Sequence, residues 1–295
     1  MFFFDPHIHM SSRTTDDYVS MAKAGILAVC EPAFWGGQPR THVGTYEDYL
    51  TSIIGWEKFR ASQFGIHHFC TLSLNPREAN NLGIADGVLE LLPRYLDKDG
   101  VVGIGEIGFD EINPTEEKYF VRQLEMAREH EMPVLIHTPH RDKKRGTERI
   151  IALVKEVKLA EEMVLIDHNT EETLPIVLGQ SHCWAGHSIY PNTKMTPERM
   201  VRLVQQYGAQ RIIINSAADW GVSDPLSVPK TAELMRQAFP EDVVETLFWK
   251  NPIAFFKQSG NLDEEEIKQR PSIDQTRLWE GNSVLRGQVP VVEKR

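Results

Sequence analysis

Two histidines separated by one residue lie near the start of the chain, in the stretch FFFDPHIHM, and they are the first residues suited to chemistry. A β-strand places alternate side chains on one face, so His7 and His9 are expected to point the same way from an otherwise apolar segment. Two imidazoles on one face can bind a metal ion, or they can be satisfied by hydrogen bonds in the core. The pair by itself leaves both interpretations open.

The ends of other apolar runs carry further histidines and carboxylates. Glu106 lies in VVGIGEIG, His137 in PVLIHT and His168 in MVLIDHN, while Asp219 follows RIIINSA. Together with His7 and His9 they make a set of four histidines and two carboxylates that is typical of a divalent metal centre, and a shared carboxylate can bridge two ions. The sequence therefore predicts that all six residues are metal ligands. The expected cofactor is two divalent ions of zinc, manganese or magnesium.

Short apolar runs that could form strands alternate with amphipathic segments along most of the chain. Strands are predicted at 2–9, 25–31, 65–72, 101–108, 133–138, 163–169, 183–189 and 211–217, and helices at 15–24, 45–62, 84–96, 115–130, 147–159, 196–207 and 229–238. Eight alternating units are the number that closes a (β/α)8 TIM barrel of parallel strands. A doubly wound sheet is the alternative, but polar residues at the ends of many strands favour the barrel.

The period of the apolar residues is lost after NPIAFF at 251–256. Residues 1–258 are therefore predicted to form the barrel domain, and residues 259–295 a polar C-terminal tail that packs on the barrel or extends from it.

Composition limits the classes of partner. The net charge of −10 and the pI near 5.6 argue against broad electrostatic binding to nucleic acid or to anionic membranes. Neither a membrane span nor a signal peptide is evident, so a cytoplasmic location is expected.

The order of these motifs resembles one known family. DPHIH at the amino terminus, GIGEIGFD, MPVLIHT, the histidine of LIDHN and an aspartate after the eighth strand are similar to the TatD-type metal-dependent hydrolases of the amidohydrolase superfamily. The resemblance covers about 250 residues. It implies a TIM barrel, a two-metal centre and hydrolysis, often of phosphodiesters in DNA or RNA. It also implies that His7, His9, Glu106 and Asp219 hold one ion, while Glu106, His137 and His168 hold the other.

The chain departs from this family after the eighth predicted strand. Where the family commonly has an E-T-D triplet, this chain has NSAADWG. Either the loop brings Asp219 back to the metal, or Asn215 takes the expected place and weakens the first site, and Asp224 is a third candidate. We favour Asp219 because a carboxylate is needed both as a ligand and as a proton acceptor.

Several residues near the predicted mouth are candidates for substrate binding. Trp35 lies in a long aromatic loop after the second strand, and Arg141 in the basic loop PHRDKKRGT after the fifth. His140 belongs to the same basic loop, and His187 lies in WAGHSIYP on the seventh strand. Each also has a plainer interpretation: packing for Trp35, a solvated helix end for the basic loop, and a hydrogen-bonded histidine for His187.

These features together predict a hydrolase that uses a metal-activated water, with Glu106 and Asp219 as catalytic residues. The expected substrate is a phosphodiester or another phosphorylated compound, and single-stranded nucleic acid is an alternative partner. A second hypothesis is a metabolic hydrolase of a small phosphoester, amide or lactone. A third is a metal-binding barrel that has lost catalysis and serves as a partner protein.

Overall fold

The computed structural model describes residues 1–271, and these residues form a sheet of eight parallel strands in chain order. The strands are β1 (Phe3–Asp5), β2 (Ile26–Pro32), β3 (His67–Leu72), β4 (Val101–Gly108), β5 (Val134–His137), β6 (Val164–Ile166), β7 (Trp184–Ser188) and β8 (Ile212–Asn215). Each strand pairs in parallel with the next one along the chain. This sequential order confirms the predicted (β/α)8 TIM barrel and rules out a doubly wound sheet, in which the strand order reverses.

The barrel is joined between its first and last strands by the segments that follow them. The backbone N–H of Ala217 donates to the carbonyl of His7 at 2.8 Å, and the N–H of His9 donates to the carbonyl of Ala218 at 2.9 Å. The predicted strand at 2–9 therefore ends earlier, at Asp5, but His7 and His9 still run alongside their neighbour. These two hydrogen bonds place the segment after β8 directly beside the histidine pair.

Helices cover the outside of the barrel. They are α1 (Thr15–Lys23), α2 (Val43–Thr51), α3 (Glu57–Ser62), α4 (Pro76–Ala79), α5 (Leu82–Leu91), α6 (Pro114–Glu129), α7 (Lys143–Val157), α8 (Leu174–Gln180), α9 (Pro197–Tyr207), α10 (Ser227–Met235), α11 (Glu241–Glu245), α12 (Asn251–Phe256) and α13 (Glu264–Ile267). The seven predicted helices are present, and the one at 45–62 is α2 and α3 joined by a π-helical turn. Five further helices were not predicted, because four to seven residues are too few to show a helical period; they are α4, α8, α11, α12 and α13.

The barrel interior away from the histidine cluster is apolar, and α12 and α13 pack against it. Phe4, Leu135 and Leu165 pack there with Phe256 of α12 and Ile267 of α13. The described part of the predicted tail, residues 259–271, therefore packs on the barrel, whereas 272–295 lie outside the described residues. None of the helices within residues 1–271 has the length and apolar character needed to cross a membrane.

Candidate metal centre

Three imidazoles surround a single carboxylate oxygen at the C-terminal ends of the strands. The Oε1 atom of Glu106 lies 3.2 Å from Nε2 of His7, 3.4 Å from Nε2 of His168 and 3.6 Å from Nδ1 of His137. The Nε2 atoms of His9 and His7 are 3.3 Å apart. Five of the six predicted ligands are thus brought together from β4, β5 and the segments after β1 and β6.

Glycines in β4 and β7 make room for this cluster. A Cβ atom on Gly105 would lie 2.8 Å from the carbonyl oxygen of Leu135, and one on Gly108, where φ is +124°, would lie 2.4 Å from the carbonyl of His137. On β7, a Cβ atom on Gly186 would lie 2.3 Å from Oδ1 of Asp167. Side chains at these positions would push apart the strands that carry the ligands.

Hydrogen bonds fix which ring nitrogen of two histidines faces the centre. The Nδ1–H of His7 donates to Oδ2 of Asp167 at 2.6 Å, and Nδ1 of His168 is hydrogen bonded to Oγ of Ser188 at 2.7 Å. Both rings therefore present Nε2 towards Glu106. A carboxylate behind a histidine in this way orients the ring and raises its basicity as a metal ligand.

Asn215 supports this arrangement from β8. Its Nδ2 atom lies 3.0 Å from both carboxylate oxygens of Asp167, so its amide group is directed at Asp167. The side chain is fully buried. Asp167 and Ser188 had not been singled out from the sequence, although Asp167 stands directly before His168 in LIDHN, and that adjacency could have drawn attention to it.

The protonation states of the cluster suit a divalent cation. Burial on its own raises the pKa of Glu106, but the attraction of His7 and the adjacent rings of His137 and His168 outweigh it and hold that pKa well below its usual value. Burial lowers the pKa of His9 and His168 well below that of a free imidazole. An ionised carboxylate beside neutral imidazoles is the state in which these side chains bind metals.

His7 differs from the other histidines in the cluster. Burial lowers its pKa, but the carboxylates of Glu106 and Asp167 outweigh this effect and raise it overall. A metal ion at Nε2 has to replace a proton there, so we expect metal binding to weaken as the pH falls.

The donor set therefore fits a metal ion on its geometry as well as its charge. His7, Glu106 and His168 offer ligand atoms that all lie within 4.8 Å of one another. The buried Nδ1 atoms of His9 and His137 lack a hydrogen-bond partner in the described structure. A bound ion or water is one explanation for unpartnered buried nitrogens at the mouth of the barrel.

Asp219 lies on the wall of the same cleft, a few residues beyond β8. Its Oδ1 atom accepts hydrogen bonds from the hydroxyl of Tyr190 at 3.1 Å and from the N–H of Gly221 at 2.8 Å. Asp219 lies outside the close group of His7, Glu106 and His168, as do His9 and His137. Asp224, the third candidate, lies elsewhere and pairs with Lys230 at 2.6 Å.

Two of the four predicted substrate-binding residues line the cleft, whose volume is about 230 Å³. Trp35 packs beneath the guanidinium of Arg77, which lies 4.4 Å from the centre of the indole ring, and His140 forms part of the opposite wall. The ring of Phe34 covers His9, with their centroids 4.1 Å apart. The loop after β2 therefore forms an aromatic wall of the cleft through Phe34 and Trp35, as expected from its sequence.

The other two candidates do not line the cleft. Arg141 is exposed to solvent. His187 is fully buried and donates from Nδ1 to the carbonyl of Asn169 at 3.1 Å. In the pairing of β7 with β8, His187 lies opposite Ile214, which belongs to the apolar core between the sheet and the helices. Its neighbour Ser188 faces the barrel interior, where it is hydrogen bonded to His168. The alternation of side chains along β7 thus turns His187 towards the helices.

Lys194, in the loop between β7 and α9, also lines the cleft, and nothing in the sequence pattern indicated it. It stands in YPNTKM, a polar stretch that reads as an ordinary surface loop. Only the path of that loop over the barrel mouth brings its ammonium group to the histidines.

A (β/α)8 barrel that gathers imidazoles around one carboxylate at its C-terminal mouth defines a metal-dependent hydrolase. Residues 4–257 match the family described as TatD related DNase, and the chain belongs to this family. It is 26% identical over 255 residues to an uncharacterised metal-dependent hydrolase of Methanocaldococcus jannaschii, an alignment that covers 86% of this chain and 99% of that protein.

Solved structures share the fold. A TatD-like protein from Archaeoglobus fulgidus superposes with a TM-score of 0.72 at 24% identity, covering 86% of this chain and all (100%) of that one. The phosphotriesterase homology protein of Escherichia coli, solved with phosphate in its active site, gives a TM-score of 0.63 at 14% identity, with 86% of this chain and 98% of that one covered.

Proposed function

We propose that this protein hydrolyses phosphodiesters or related phosphorylated compounds with the aid of two divalent metal ions. The observation that carries the proposal is the position of Glu106, whose Oε1 atom lies within 3.6 Å of nitrogens from three histidines. A carboxylate placed between groups of imidazoles is suited to be shared by two ions. The phosphate in the active site of the Escherichia coli phosphotriesterase homology protein is consistent with this substrate class.

In this proposal His7 and His9 hold one ion, His137 and His168 hold the other, and Glu106 belongs to both. Divalent ions held there would supply a water of lowered pKa and would polarise an oxygen of the scissile group. Asp167 and Ser188 keep the rings of His7 and His168 in the required orientation. Phe34 and Trp35 restrict solvent on one side of the cleft.

Asp219 is proposed as the proton acceptor and as a fourth ligand of the first ion. Its position on the cleft wall, with Tyr190 and Gly221 orienting its carboxylate, supports the first role. The second role requires the loop after β8 to carry the carboxylate closer to His9. Asn215 is a poorer candidate because its amide is directed at Asp167.

A small-molecule ester is the second candidate substrate, and the size of the cleft favours it. A volume of about 230 Å³ beside the aromatic wall of Phe34 and Trp35 suits a compact ester or the end of a nucleic acid strand better than a continuous strand. The net charge of −10 also favours a small ester, because it opposes the binding of a long nucleic acid strand. Family membership gives no support to the hypothesis of a barrel without catalysis.

The proposal is tested by the metal content of protein purified without chelator, measured by plasma mass spectrometry. Wild type is compared with His9→Ala and Asp219→Ala, and hydrolysis of bis(4-nitrophenyl) phosphate is followed on the same samples. Asp224→Ala serves as a matched control because Asp224 pairs with Lys230 away from the cleft. Near two ions per wild-type chain, with metal and activity reduced in His9→Ala and activity lost in Asp219→Ala, would support the proposal. Turnover that survives both substitutions would contradict it.

A further inference from the structure

Lys194 is held over the cleft by a tight loop after β7. The carbonyl of Tyr190 accepts hydrogen bonds from the N–H groups of Thr193 at 3.2 Å and Lys194 at 2.8 Å. The carbonyl of Lys194 in turn accepts from Nη1 of Arg199 at 2.6 Å. These bonds fix the backbone from which the side chain reaches the cleft, so its position is built into the fold.

The ammonium group of Lys194 has no anionic partner among residues 1–271. Its Nζ atom lies 5.3 Å from the centre of the Tyr190 ring, a cation–π contact, but makes no hydrogen bond or ion pair with the described residues. The nearby Lys143 is different, because its Nζ lies 2.8 Å from Oγ1 of Thr138. An ammonium group has three donors, and the structure leaves those of Lys194 available to a ligand in the cleft.

The charged groups around Lys194 also favour an anion as its partner. Burial lowers its pKa, and the carboxylates of Glu106, Asp167 and Asp219 offset only part of that effect. A cation beside a centre built for divalent cations is unfavourable unless an anion lies between them. The natural occupant of the space between Lys194 and the histidine cluster is therefore negatively charged.

We propose that Lys194 binds an anionic oxygen of the substrate and restricts this site to esters that carry a negative charge next to the scissile bond. The inference rests on the proposed function for the kind of bond that is broken. It adds a residue that determines specificity: phosphodiesters and phosphomonoesters are accepted, while neutral triesters and carboxylic esters lose this contact. An ammonium paired with a phosphate oxygen is a strong, charge-assisted interaction.

The test compares Lys194→Met with wild type on two substrates and one ligand. The substrates are bis(4-nitrophenyl) phosphate, which is anionic, and diethyl 4-nitrophenyl phosphate, which is neutral. The ligand is inorganic phosphate, with its Kd measured by calorimetry on metal-loaded protein. We expect kcat/KM for the anionic ester to fall about 10- to 100-fold and the Kd of phosphate to rise about 10-fold or more. For the neutral ester, kcat/KM should change less than about threefold.

Two further variants control for charge and folding. Lys143→Met removes a lysine near the cleft that is already hydrogen bonded to Thr138, and it should change phosphate binding less than about threefold. Lys194→Arg retains the charge and should recover a large part of the affinity. Metal content and thermal unfolding are measured for every variant, so that loss of the metal centre is recognised.

Failure of this inference can be distinguished from failure of the proposed function. A wild-type enzyme without turnover of any phosphodiester would contradict the proposed function, but the phosphate titration would still test Lys194. Equal phosphate affinity in wild type and Lys194→Met, at equal metal content, would overturn the inference. Equal losses on the anionic and neutral esters would overturn it as well, since they would show a general effect on the site.

Discussion

His7 and Asp167, 160 positions apart in the chain, are joined by a hydrogen bond of 2.6 Å between Nδ1 and Oδ2, and both side chains are fully buried. This contact connects the segment after β1 with the end of β6 across the mouth of the barrel. It determines which nitrogen of His7 faces Glu106. The proposed metal centre therefore depends on a residue that is not itself expected to touch the metal.

We expect Asp167→Asn to weaken metal binding about 10- to 100-fold, because His7 loses the carboxylate that orients it and increases its basicity. The affinity is measured by competition with a coloured chelator at pH 7.5. Asp224→Asn, which removes the same charge from an aspartate outside the cleft, is the control and should bind metal as wild type does. Unchanged affinity in Asp167→Asn would show that Asp167 has only a structural role.

Gly186→Ala should destabilise the protein by about 1–3 kcal/mol and reduce hydrolysis, because the added Cβ atom would lie 2.3 Å from Oδ1 of Asp167. Chemical denaturation gives the free energy of unfolding. Gly179→Ala is a matched control in α8, where an added Cβ meets nothing within 4 Å, and it should be neutral or slightly stabilising. If Gly186→Ala were as stable and active as the control, the close packing of β7 against Asp167 would be unimportant.

The burial of His187 should make stability depend on pH. Burial lowers its pKa in the folded protein from 6.5 to about 4, so its imidazole stays neutral there while the unfolded chain takes up a proton. Protonation of His187 in the unfolded chain therefore lowers the free energy of unfolding as the pH falls below 6.5, and the loss reaches about 3 kcal/mol near pH 4.

The test of this dependence is His187→Gln, which retains a donor for the carbonyl of Asn169 but does not titrate. Denaturation is measured between pH 4 and 7.5 with a chelator present, so that metal binding does not contribute. The variant should lose less stability than wild type over this range. If the free energy of unfolding falls equally with pH in the two proteins, the lowered pKa of His187 would be contradicted.

The basic loop after β5 should distinguish the two candidate substrates. The predicted basic cluster of this loop consists of Arg141, Lys143, Lys144 and Arg145, and of these Arg141, Lys144 and Arg145 are exposed. If the substrate is single-stranded nucleic acid, Arg141→Glu with Lys144→Glu should raise KM for an oligonucleotide about 10-fold at low salt. KM for bis(4-nitrophenyl) phosphate should stay the same.

Salt provides an independent check on this prediction. Oligonucleotide hydrolysis by wild type should weaken steeply between 50 and about 200 mM salt, and less so in the doubly substituted protein. If the natural substrate is a small ester, the salt dependence of oligonucleotide hydrolysis should be the same in wild type and in the doubly substituted protein. That result would favour the metabolic hydrolase over the nuclease.

The fold could be predicted from the sequence because it depends on local and repetitive information. Eight apolar runs alternated with amphipathic segments, and eight strands are present in chain order. His7, His9, Glu106, His137 and His168 could be found because strand ends of a parallel barrel meet at one mouth, so position along the strand decides position in space. The family is likewise evident from the motifs themselves.

The supporting residues were decided only by the tertiary structure. Asp167 becomes a partner of His7, Asn215 a partner of Asp167, and Lys194 a wall of the cleft through loops whose paths no periodicity encodes. His187 was misplaced for a related reason: it lies at a strand end, but the register of β7 with β8 turns its side chain outwards. Sequence identifies which residues reach the mouth of a barrel, whereas the direction of a side chain there depends on register, bulges and loop geometry, which are set by packing between distant segments.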